Sequence, residues 1–278
     1  VAKHFAFAFY LTLSTIAIAA YPERPIRIVA PVAPGGAVDT VARIITPKMP
    51  ALLGQNVVID NRGGANYIIG TEIVARAPAD GYTLLTTAGA HTINPAVYKK
   101  LPYDALRDFT PVIHIVNSGG LVIAVHPSFP AQTLQDLIDQ AKANPGKIVY
   151  GSAGFGSQTH LAAENFLYAA KIEVVHVPYK GAAVAFPDLL GGRITVFHSS
   201  IETALPQVNG GTIRVLAVTS ANRVPALKNV PTVAEAGYKG VEASTWFGFL
   251  TTAKTPAAII ARLSEETSRV LSRPDMRE

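Results

Sequence analysis

The chain has 278 residues, 49% hydrophobic and 15% charged, which is apolar material for one large or two medium cores; two lobes are expected. Its formal net charge of +5 comes from basic residues scattered along the chain, which fits a general preference for anions and argues against a nucleic-acid groove. Cysteine is absent, so disulfides, thiol nucleophiles and thiolate metal ligands are excluded together.

The opening "VAKHFAFAFYLTLSTIAIAA" has a lysine near its start, an apolar stretch from Phe5, and small residues at Ala17, Ala19 and Ala20. This layout predicts a cleavable secretory signal over residues 1–20, cut near Ala19-Ala20, in preference to a membrane anchor. Nothing later is long and apolar enough to span a bilayer, so a soluble exported product is expected.

Short β-branched runs then alternate with helical stretches. "IRIVAPV", "NVVIDN", "YTLLTT", "PVIHIV", "LVIAVHP", "IVYGSA", "VVHVPY", "ITVFHS", "IRVLAVTS" and "FGFLTTA" read as strands. Residues 37–53, 66–77, 132–144, 158–170 and 257–272 repeat apolar positions at helical spacing. The alternation predicts parallel-sheet α/β units. Ser118-Gly119-Gly120 suits a crossing between lobes, and a return near "AVTSANRVPALKNVP" makes the first lobe 21–119 plus 222–278 and the second 120–221.

Three glycine turns join strand to helix. The first is Ala33-Pro34-Gly35-Gly36, with Asp39 in the first helical turn; such a turn leaves amides exposed at a positive helix end, where a carboxylate or phosphate can bind. Asp39 serves equally well as a structural cap. The second runs through Gly151, Ser152, Ala153, Gly154 and Gly156 into a helix that Ser157 can cap, with Thr159 adding a hydroxyl. Thr159 at the third glycine position excludes a dinucleotide fingerprint, and Tyr150 excludes a nucleophile elbow at Ser152. The third is Pro178-Tyr179-Lys180-Gly181 leading into Ala182; Tyr179 is a candidate pocket wall, and Lys180 reads as an exposed loop lysine. The histidines show no paired metal-ligand spacing, and neither metal nor cofactor is expected.

Together "YPERPIRIVAPVAPGGAVDTVAR", "VVIDNRGGAN", "GTEIVARAPADGYTLL", "INPAVYKKLPYDALRDFTPV", "YGSAGFGSQTHLAAE", "VPYKGAA" and "VPTVAEAGYKGVEASTWFGF" resemble the Bug family of extracytoplasmic solute receptors, binding components of tripartite tricarboxylate transporters. The resemblance implies an α/β, two-lobed periplasmic-binding-protein type II (Venus flytrap) fold in the periplasm, acting as a monomer without catalysis. It implies that Pro34-Gly35-Gly36 and the loop from Gly151 to Ser157 pinch a ligand carboxylate through amides, hydroxyls and bridging waters. The implied ligand is a di- or tricarboxylate, an acidic amino acid or a related acid, and the implied partners are membrane permease subunits or a sensor kinase.

Candidate distal contacts are Thr87, His91, Tyr179 and His198, with Gly181, Ala182 and His160 completing the expected set. Against the family pattern, Phe197-His198-Ser199 stands where an acid is usual, Asn66-Tyr67-Ile68-Ile69 replaces a small glycine-rich spacing, and Pro187 should restart its helix. The chain ends at "SRPDMRE", from which a C-terminally incomplete first lobe is expected. The alternative reading is an exported hydrolase using Ser152 or Ser157 with His160.

Overall fold

The computed structural model describes residues 21–276; the expected signal segment lies outside the described residues. The chain begins with β1 (Ile26–Ala30), α1 (Ala37–Ile45), α2 (Pro50–Leu53), β2 (Val57–Asn61), α3 (Ile68–Ala75), β3 (Thr83–Ala88), α4 (Ala90–Val97) and β4 (Phe109–Ser118). It crosses to β5 (Leu121–Val125), α5 (Leu134–Ala143), β6 (Val149–Ser152), α6 (Gln158–Ala170), β7 (Val175–Pro178), α7 (Phe186–Leu190), β8 (Val196–Ser200), α8 (Ile201–Asn209) and β9 (Arg214–Val218). It then returns through β10 (Thr245–Thr252) and α9 (Ala257–Leu271).

Two five-stranded sheets result, ordered β2-β1-β3-β10-β4 and β7-β6-β8-β5-β9. All ten strand runs form, but the sheets are mixed and not wholly parallel. β10 runs antiparallel to β3 and β4, and β5 antiparallel to β8 and β9. Each is the first strand after a crossing, so it enters its sheet from the neighbouring lobe, opposite to the βαβ strands beside it.

Local sequence accounts for the elements that frame the cleft. β1 is buried along nearly its whole length, as a strand between two parallel neighbours under helices should be. α1 buries Val38, Val41, Ala42 and Ile45, one stripe at helical spacing against the first sheet. The expected helix over 37–53 breaks at Pro47 and Pro50, whose rings cannot continue it, into a 3-10 turn and α2. Pro187 restarts a helix as expected, at the first turn of α7. Ile28, Phe247, Phe249 and Leu263 fill the first core, and Ile123, Leu137, Tyr150 and Phe166 the second.

The return crossing lies further along than expected. Val233 and Val241 are buried in the second lobe's core, Leu227 packs beside Phe197, and Thr232 bridges Val218, so the chain stays with the second sheet until about 243. A polar, proline-rich stretch looked like a linker, yet its spaced apolar residues carry it over the second sheet. The two tethers lie side by side: Ser118 pairs with Thr245, and Thr219 Oγ1 accepts from the Leu121 amide at 2.8 Å and donates to the Ala243 carbonyl at 2.7 Å.

The candidate binding cleft

The loops after β1 and β6 face each other across the lobes, and the lobes are shut. Tyr98 of the first lobe donates its hydroxyl to the Phe155 carbonyl at 3.1 Å, and Gln158 of the second donates to the Ser244 carbonyl. A Cβ on Gly35 would stand 3.7 Å from Ala183, and one on Gly156 only 2.6 Å from Val97 Cγ1. A cavity of about 60 Å³ remains between the lobes, space for several waters. It continues outward into a second chamber through Val32, Asn66, Tyr67, Ala153 and Gly181, which line both.

From the first lobe Gly36 and Ala37, the cap and first residue of α1, reach this cavity; from the second come Ser157, Gln158 and Thr159, the cap and first turn of α6. Ser157 Oγ accepts from the His160 amide at 3.2 Å, and Thr159 Oγ1 accepts from the Ala153 amide at 2.9 Å. Those bonds shape the loop and leave the Gln158 and Thr159 amides without an acceptor among the described residues. At α1 the Ala37 and Val38 amides are likewise unpaired among the described residues. Two positive helix ends, one from each lobe, thus meet at one cavity.

Of the expected ligand residues, Gly36, Ala153, Ser157, Gly181 and Ala182 line the inner cavity, and Gly154 and Tyr179 join the outer chamber. Tyr179 donates to Asp188 Oδ2 at 2.6 Å; burial and this bond push its hydroxyl up to about 12. The others are displaced. Ala33, Pro34 and Gly35 form the outer bend: Gly35 holds φ +79°, and its amide donates to Asp39 Oδ2 at 2.8 Å. The amides available to an anion therefore belong to the next residues along.

Asp39 is fully buried and saturated, taking Arg43 Nε at 2.9 Å and Asn61 Nδ2 at 2.9 Å besides Gly35, so it is a structural brace. Burial alone would raise its carboxyl, but the bonds from Arg43, Gly35 and Asn61 hold it below the usual range. Thr87 shares the Leu85 face of β3, the side away from Thr86, and does not line the cavity. His91 donates or accepts at the Ala105 carbonyl (3.0 Å) and packs edge-on against Phe109, on the outer side of the first lobe. His198 is buried with Tyr150 and Phe166 under the second sheet, because alternation along β8 turns Phe197 and His198 to opposite faces. Desolvation lowers its pKa to about 3.

Ser152 is fully buried and hydrogen-bonds His176 Nε2 at 2.7 Å beneath the loop. Gly156 supplies a left-handed φ of +71° against Val97, and its amide donates to His160 Nδ1 at 3.2 Å. His160 stacks on His176 with ring centres 4.2 Å apart, so it supports the loop from behind. His160 Nδ1 is an acceptor of a backbone amide and cannot serve as base to Ser157, whose Oγ caps α6.

Sequence reasoning missed the remaining walls: Leu121, Ser200, Thr245, Phe247, and the pair Ala88 and Ala90. They sit at or just past strand ends, the usual ligand-facing position in open α/β sheets, which was the available signal. Asn66 and Tyr67 also line the cavity, and with Ala65 they form a run of three non-glycine residues at φ +46°, +49° and +74°.

Two α/β lobes joined by paired tethers, with a cavity enclosed between them, define a periplasmic-binding-protein receptor. The chain belongs to the tripartite tricarboxylate transporter receptor family, whose model matches residues 41–278, in agreement with its Bug-like motifs. It is 39% identical over 93% of its length to a UPF0065 protein from the tcbD-tcbE intergenic region of Pseudomonas sp. strain P51, covering 77% of that protein. It is 36% identical over 90% of its length to protein BugT of Bordetella pertussis, again covering 77%. Among solved structures it is similar to an R. palustris protein with adipate, with TM-score 0.89, 37% identity, and 92% of this chain matching 86% of that one. It is also similar to MatC from Rhodopseudomonas palustris with bound malate, with TM-score 0.86, 31% identity, and 92% matching 87%. The family is one of receptors, and the hydrolase alternative is set aside.

Proposed function

We propose that the protein captures a small organic acid in the periplasm, its carboxylate held between the first turns of α1 and α6, and releases it unchanged. The observation that carries this is the pair of helix N-termini, with unpaired amides, that approach one cavity from opposite lobes. Similarity to structures holding adipate and malate supports a carboxylate as the ligand. Gly36, Ala37, Ser157, Gln158 and Thr159 form the carboxylate cradle, with Ala153, Gly181 and Ala182 as close walls. Delivery is to the permease subunits of a tripartite tricarboxylate transporter or to a sensor kinase, by a monomer whose first residues direct export. Among the described residues no helix is long and apolar enough to cross a membrane.

The test is thermal unfolding across a library of organic acids. A ligand present at a hundred times its Kd stabilises by about 2.7 kcal/mol, so a binding acid should raise Tm by several degrees. Folded protein that no acid stabilises would contradict the proposal.

A further inference from the structure

Ser157 caps α6 and His160 stands third in its first turn, so the two side chains hold the places of a capping box. The serine half is ordinary: its Oγ accepts from the His160 amide at 3.2 Å. The returning half is made by an imidazole, where glutamate or glutamine is the usual acceptor. The Gly156 amide donates to His160 Nδ1 at 3.2 Å. A backbone N–H can only donate, so Nδ1 keeps its lone pair free and the ring proton of His160 sits on Nε2. That nitrogen lies 3.8 Å from Glu164 Oε1.

His160 is buried, and three titratable groups surround it. Glu164 faces it from the same helix, and that carboxylate also accepts from the Tyr150 hydroxyl of β6. His176 of β7 stacks on the ring with centres 4.2 Å apart, while Phe155 of the loop lies against it at 5.0 Å. His176 in turn bonds Ser152 Oγ, which accepts from the Gly154 amide at 3.2 Å. Two stacked imidazoles thus hold two glycines of the loop, one directly and one through a serine. Burial lowers the pKa of His160 against the pull of Glu164, so at pH 7 the ring is neutral and the Gly156 bond stands. A second proton enters at Nδ1 and sets an N–H against the N–H of Gly156. The bond is then lost at the residue whose φ of +71° turns the chain into Ser157, Gln158 and Thr159, and which meets Val97 of the other lobe.

We infer that His160 is a positioning residue for the carboxylate cradle and makes it proton-gated: the neutral ring holds Gly156 and the α6 start in the form that closes on the ligand, and the protonated ring releases them. Acid therefore weakens binding, whereas a cation merely lying near the ligand would tighten it. The inference rests on the carboxylate reading above.

The test is calorimetric titration with adipate and with malate, at pH 7.5 and 5.0, of the parent, His160→Asn and His160→Leu. Asparagine puts Oδ1 where Nδ1 stands and accepts without titrating; leucine accepts nothing. At pH 7.5 His160→Asn should bind within about threefold of the parent, and His160→Leu about tenfold or more weakly. From pH 7.5 to 5.0 the parent should lose at least about threefold more affinity than His160→Asn, since the acid's own protonation is common to both. A parent whose loss only matches that of His160→Asn, or a His160→Asn as weak as His160→Leu at pH 7.5, would overturn the inference. So would a His160→Leu that binds like the parent. The nitrogen-15 imidazole spectrum of the parent needs neither variant nor ligand: Nδ1 unprotonated at pH 7.5 is expected, and a proton there overturns the inference. Folded parent that binds no organic acid removes the carboxylate reading, while that spectrum still decides where the His160 proton sits.

Discussion

Asp39 is the one carboxylate at the α1 start, and it faces inward to its own loop. With Gly35, Asn61 and Arg43 as donors it holds the glycine bend in the form that brings Gly36 and Ala37, at the α1 start, to the cavity. Asp39→Ala would leave the Gly35 amide and Asn61 short of an acceptor, and about 2 kcal/mol of stability should be lost, read from urea unfolding. Ligand affinity should fall as well. Sequence reading found this residue and its cap role but could not choose between brace and ligand contact. The three donors that decide the matter come from 35, 43 and 61, and the last of these is at the end of a different strand.

At the scale of elements, the two helix starts work only when the loops that carry them can approach. Gly156 is the tightest point: it needs a left-handed φ of +71°, and any Cβ would press within 2.6 Å of Val97 on the other lobe. Gly156→Ala should therefore weaken ligand binding about tenfold or more in calorimetric titration. Gly54→Ala is the control, because it carries a similar φ of +73° with nothing within 4 Å, and should lose only stability. The glycine loops were legible because composition marks them locally. The strands were legible too, from their β-branched runs, and so were α5 and α6 from their apolar spacing, α6 with its Ser157 cap as well. Helices α4 and α8 were not: both hold internal prolines, so neither shows a clean period. Thr87 and His198 were misplaced because both lie short of the strand ends that meet the cleft, where Ala88 and Ser200 line the cavity.

For the molecule as a whole, buried neutral imidazoles link stability to pH. His176, lowered to about 4 by burial and by its His160 neighbour, and His198, lowered to about 3 by burial, both lie below the ordinary histidine value in the fold. The unfolded chain therefore binds more protons than the folded one as pH falls from about 6.5 toward 4 and below. Stability contributed by these groups is full above about pH 6.5 and is lost as acid approaches their folded values. Thermal unfolding across pH 7 to 4 should show a falling Tm, and His198→Leu should flatten that decline. An equal slope in the variant would remove His198 from the account.

Because both tethers leave the sheets side by side at Ser118 and Thr245, the halves can swing only as a book opens on its spine. Displacement in such a swing grows with distance from the binding, so the fore-edge, where Tyr98 touches Phe155, travels furthest. That rim is the part of the surface on which an empty receptor differs most from a loaded one.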